Sequence, residues 1–120
     1  MPLIAKAWAS GAMRNNLPIM IEVKKNPEGI VVTPVGVDRL TVVNAGDLKK
    51  SLALQFSAGS CDVFLDLQNI KYMDSTGVSV LISGVKSSRE QNRGFALRNV
   101  QPDVRKLLSL MKIDKIIDID

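Results

Sequence analysis

Residues 61–85, CDVFLDLQNIKYMDSTGVSVLISGV, change periodicity partway along. Cys61, Val63, Leu65 and Leu67 alternate with Asp62, Phe64 and Asp66, a period of two that predicts a strand over 61–67. Residues 68–74 then form a connection. Beyond it Val78, Leu81, Ile82 and Val85 recur at helical spacing, with Lys86, Ser87, Arg89 and Glu90 on other faces. That pattern predicts a helix starting near Ser75. A strand that feeds a helix is half of a crossover unit, so this stretch decides for an α/β domain.

The flanking sequence extends the pattern in both directions. Upstream, Ile19–Val23 and Ile30–Val35 read as strands on either side of Asn26-Pro27-Glu28-Gly29, a strong turn signal, and should pair as a hairpin. Pro34 should push the end of the second strand toward an edge or a bulge. Ala45, Leu48, Leu52 and Phe56 carry the next helix, with Asn44 or Thr41 as candidate caps. Downstream, Phe95–Arg98 is a strand and Pro102 suits a first helical turn. Val104, Leu107, Leu108 and Met111 repeat the amphipathic spacing, and Ile116, Ile117 and Ile119 close the chain as a short strand or a docked tail. The order is β-β-α-β-α-β-α. Strands separated by helices imply right-handed crossovers and a largely parallel sheet. The expectation is a small single-domain α/β fold, with helices packed on a mixed sheet of four to five strands.

Composition narrows the function. The 120 residues are 46% hydrophobic, 23% charged and only 4% aromatic, so the core must be mainly aliphatic. The net charge of +4 comes from scattered Lys and Arg, with no continuous basic stripe for nucleic acid. One cysteine and no histidine exclude an intramolecular disulfide, the usual zinc sites and any nucleophile activated by histidine. No G-x-x-x-x-G-K-[ST] loop cradles a phosphate. Asp62 and Asp66 stand ~13 Å apart along one strand face, too far to share an ion. The chain therefore reads as a protein without cofactor or metal and not as an enzyme. No apolar run reaches the ~18 residues of a membrane span. Residues 1–16, MPLIAKAWASGAMRNN, read as a flexible extension before a domain at 17–120, with Met13 a candidate natural start, and the cytoplasm is the expected compartment.

The chemistry concentrates in YMDSTGVSVL, residues 72–81. Asp74 or Ser75 can cap the helix, but a cap needs one short polar side chain and three stand in a row. Gly77 in the first turns costs up to ~1 kcal/mol against alanine, which predicts close approach by another backbone or group.

Two longer runs carry a family resemblance. DLQNIKYMDSTGVSVL (66–81) and GFALRNVQPDVRKLLSLMKIDKIIDI (94–119) are similar to the anti-sigma factor antagonists, the bacterial branch of the STAS domains. Together they cover about half the chain. The resemblance implies a STAS-like fold in which Ser75 accepts a phosphate. An anti-sigma factor with serine-kinase activity would add that phosphate and a metal-dependent serine phosphatase would remove it. The unphosphorylated form would bind the anti-sigma factor and free the sigma factor. A second family patch is matched by RLTVVNAGDL (39–48), with Thr41 where an aspartate is usual, Asn44-Ala45 in register, and Asp38 as the alternative for that aspartate. The implied partner surface is Asp38, Thr41, Asn44, Met73, Asp74, Ser75, Thr76, Gly77 and Ser79, on a monomer or weak dimer. The alternative is a STAS scaffold module in a larger signalling or transport-associated complex, without a kinase cycle.

Overall fold

The computed structural model describes residues 20–119, so the expected extension at 1–16 lies outside the described residues. Strands β1 (Met20–Asn26) and β2 (Gly29–Val35) form the anticipated antiparallel hairpin. A two-residue strand β3 (Arg39–Leu40) leads into helix α1 (Ala45–Ala58). Strand β4 (Val63–Asp66) and a second two-residue strand, β5 (Tyr72–Met73), precede helix α2 (Ser75–Glu90). Strand β6 (Phe95–Arg98), helix α3 (Pro102–Leu110), a 3-10 turn (Ile113–Lys115) and strand β7 (Asp118–Ile119) complete the chain.

The main sheet runs β1-β2-β4-β6-β7, antiparallel only between β1 and β2. Each parallel step moves one place in the same direction, so right-handed crossovers put the helices on one face. Register confirms which side chains meet them. Val32, Leu65, Leu97 and Ile119 lie in one row across the sheet, and Val63 pairs with Phe95. These join Leu48, Leu52 and Phe56 of α1, Val78, Leu81 and Val85 of α2, and Val104 and Leu108 of α3 in one aliphatic core. On the other face Phe64 is half-buried beneath the Arg98 guanidinium, 3.9 Å from its ring centroid, and Arg98 also pairs with Glu28 at 3.1 Å.

Pro34 stands at a strand end open on one side, as expected: it pairs with Ile21 of β1, but β2 meets β4 only over Ile30–Val32, so the proline lies beyond the last rung on that side. Two details depart from expectation. Neither Thr41 nor Asn44 caps α1 through its side chain. Ile82 is 44% exposed, and Val80 takes its place in the core. The cause lies in the small residues: the buried arc of α2 centres on Gly77, Gly84 and Ser88. A Cβ on Gly84 would stand 2.5 Å from the Phe95 ring, so the glycine is what lets the helix settle onto β6.

Candidate functional site

The start of α2 is built from two separate chain segments. β3 and β5 pair in parallel as a two-stranded ribbon, Arg39 with Tyr72 and Leu40 with Met73. The Asp38 carbonyl accepts from the Lys71 N–H at 2.6 Å, and the Leu40 carbonyl from the Asp74 N–H at 3.1 Å. Arg39 adds a cation–π contact 5.7 Å from the Tyr72 ring centroid. These bonds draw residues 38–44 against the mouth of the helix, although more than thirty positions separate the segments in the sequence.

Asp74 is the N-cap, and its carboxylate works in two directions. Oδ1 accepts from the Gly77 N–H at 3.0 Å, closing the first turn of α2, and Oδ2 accepts from the Val42 N–H at 3.3 Å. Gly77 shows the close approach expected of it. A Cβ there would lie 2.5 Å from the Leu40 carbonyl oxygen and 2.6 Å from Met73 Cγ. Only hydrogen on Cα lets α2 start this close to β3.

The nine residues expected to form the partner surface fall into two groups. Asp38, Ser75 and Ser79 are exposed, and Thr41, Asp74 and Thr76 are half-buried. Ser79 Oγ donates back to the Thr76 carbonyl at 2.8 Å. Met73, Gly77 and Asn44 are buried and shape the surface from beneath. Asn44 instead ties down the preceding turn: its Nδ2 donates to the Arg39 carbonyl at 2.9 Å and its Oδ1 accepts from the Thr41 N–H at 3.0 Å. Asp38 pairs with neighbouring Arg39 at 3.6 Å. Both alternatives for the family aspartate, Asp38 and Thr41, thus flank β3, and neither reaches Ser75 through a hydrogen bond among those described.

Beside Ser75 runs a groove of about 490 Å³ between the start of α2 and α3, lined by Tyr72, Met73, Ser75, Val78, Leu107 and Met111. A wider hollow of about 610 Å³ lies across the β3–β5 ribbon, lined by Asp38, Arg39, Asn69 and Gln101 among others. Among the described residues no three His, Cys, Asp or Glu side chains converge on a metal position, and no helix is long and apolar enough to cross a membrane.

Sequence reading missed the β3–β5 ribbon and the exposed Val42 and Val43 beside it. A two-residue strand has no readable period. The one usable signal was Gly77, which announced a close approach without naming Leu40.

Comparison with known proteins agrees with this fold. The family model for the STAS domain matches residues 20–120. An anti-sigma-B factor antagonist of Bacillus subtilis is 30% identical over 101 residues, covering 84% of this chain and 90% of that protein. An anti-sigma-factor antagonist (STAS) domain protein from Planctomyces limnophilus superposes with a TM-score of 0.75 at 22% identity, over 82% of this chain and 87% of that one. The Bacillus cell fate determinant SpoIIAA in its phosphorylated form superposes with a TM-score of 0.62 at 16% identity, over 85% and 90%. At those identities the two structures speak for the fold alone. With the family model spanning the whole described fold and a relative at 30% identity along most of its length, this chain belongs to the STAS domain family.

Proposed function

We propose that this protein is a cytoplasmic anti-sigma factor antagonist switched by phosphorylation of Ser75. Unphosphorylated, it binds an anti-sigma factor with serine-kinase activity and so releases the sigma factor. Phosphorylation on Ser75 ends that binding, and a metal-dependent serine phosphatase restores it. The observation that carries the reading is the exposure of Ser75 as the first residue of α2, immediately after a cap already provided by Asp74. Its hydroxyl is not needed to close the helix and is open to a kinase.

The physics of the switch follows from that position. A phosphoserine brings −1.5 to −2 charges and three acceptor oxygens. At a helix N-terminus the macrodipole favours the anion, while neighbouring Asp74 opposes it, so the fold itself should change little in stability. A docked partner meets the full effect, since the dianion must be desolvated against a surface made for a neutral hydroxyl. Moving a complex from 99:1 to 1:99 takes ~5.5 kcal/mol, and like charges across an interface cost several kcal/mol. A steric and electrostatic block on a rigid surface is therefore sufficient.

The test is binding of Ser75→Ala and Ser75→Asp to the cognate anti-sigma factor, with and without ATP. The alanine protein should bind and take up no phosphate, and the aspartate protein should bind poorly. Equal loss of binding in both variants would refute the charge mechanism.

A further inference from the structure

Resting on the reading above, we infer that Val42 and Val43 are the apolar anchor of the same partner surface, a rigid knuckle that enters a shallow apolar pocket on the anti-sigma factor beside the cleft that receives Ser75. The two valines occupy the centre of the turn Thr41–Asn44 and are 72% and 55% exposed. Turn centres favour Gly, Asn, Asp and Ser, whose conformations or side chains suit them, and β-branched residues have no such advantage. Two adjacent valines therefore run against local preference, with most of their surface left in water. Departures of this kind from local rules concentrate at functional sites.

The turn is also held far more firmly than an exposed loop requires. Each backbone N–H from Thr41 to Ala45 has a partner. Thr41 N–H donates to Asn44 Oδ1 at 3.0 Å, Val42 N–H to Asp74 Oδ2 at 3.3 Å, and Val43 N–H to Thr41 Oγ1 at 3.3 Å. Asn44 N–H and Ala45 N–H both donate to the Thr41 carbonyl, at 3.1 and 2.8 Å. Valine adds a single stiff rotor to that fixed backbone. A surface so preorganised loses little conformational freedom on binding, the property that separates an energetic anchor from a passive contact.

Position decides the occupant. The Asp74 carboxylate that holds Val42 in place also caps the helix that Ser75 begins. A protein covering Ser75 therefore meets the same capped corner that carries the knuckle, and the two valines supply the apolar centre that the Ser75, Thr76 and Ser79 hydroxyls lack. Interfaces are organised this way, with an apolar middle and a polar rim.

The experiment measures binding of the full chain to each serine-kinase anti-sigma factor encoded in the source genome, purified with ADP, by calorimetry. The variants are V42S/V43S and the isosteric V42T/V43T, with L54S as a control for an equally exposed apolar residue on the outer face of α1. Both double variants should melt with the wild type and bind at least about 10-fold more weakly, while L54S binds within about 2-fold of wild type. Double variants that bind within about 2-fold of wild type, or an L54S loss of the same size, would overturn the anchor. Loss of self-association in place of loss of anti-sigma binding would also overturn it, in favour of a second copy of the chain. Failure of the wild type to bind any of these anti-sigma factors would instead bring down the proposed function.

Discussion

At the scale of single residues, the site depends on one absent side chain and one shared carboxylate. Gly77 has no room for a methyl group because the obstacle is backbone: the Leu40 carbonyl oxygen would stand 2.5 Å from it, and that carbonyl is fixed by the Asp74 N–H. A flexible neighbour could give way, but a bonded strand cannot do so without breaking the ribbon. Gly77→Ala should therefore destabilise the protein by about 2 kcal/mol, despite alanine's better helix propensity. On a domain of this size that lowers the melting midpoint by on the order of 10 °C, which a thermal melt checks directly. A rise in the midpoint would mean that propensity outweighs the contact. The sequence showed a glycine in an unfavourable place but not what approaches it, because its neighbour is distant in the chain.

At the scale of elements, legibility depended on length and on residue size. The buried face of helix α1 could be read in full, though not its cap: Ala45, Leu48, Leu52 and Phe56 are the buried residues of Ala45–Ala58. The hairpin was equally plain, since Asn26-Pro27-Glu28-Gly29 carries its own turn chemistry. Helix α2 lies where its periodicity places it but is turned about its axis, because its stripe of large apolar residues is not the centre of the buried face. Its centre is the line of Gly77, Gly84 and Ser88, where β3 and Phe95 press closest. Small residues mark the tightest packing, and a search for large ones passes over them. The rotation is testable. Val80→Ala should cost about 2 kcal/mol by opening a cavity, whereas Ile82→Ser should change stability by less than about 0.5 kcal/mol. Urea unfolding of both variants decides it, and the reverse order would restore the face expected from sequence. Arg93 is a further feature that pattern did not reveal. Only 8% exposed, it reaches the Gln55 and Phe56 carbonyls at the end of α1 and the Cys61 carbonyl before β4, with its guanidinium 5.5 Å from the Phe56 ring centroid. It supplies the cation that the last turn of α1 lacks. Arg93→Ala should cost about 2 kcal/mol through carbonyls left without donors and lost packing on Phe56. An unchanged urea midpoint would show that water replaces it.

At the scale of the whole molecule, the two ends of the fold are built differently. Arg93 secures the end where the parallel strands begin, while the β3–β5 ribbon and the start of α2 gather at the end toward which those strands run. Ligands and partners of α/β sheets collect at that carboxyl end. The core of β4, β6, α1 and α2 side chains does not include Ser75, which is exposed. A charge added to Ser75 should therefore alter what the protein binds without altering how it folds. Protein phosphorylated on Ser75 should melt within roughly 5 °C of the unmodified form. Its amide hydrogen exchange should be unchanged in β4 and β6, with differences confined to residues near 38–44 and the first turn of α2. Partner binding by the same sample should nevertheless be lost. Exchange protection falling across the sheet would mean that the phosphate acts by loosening the domain, and the rigid-surface mechanism would have to be abandoned.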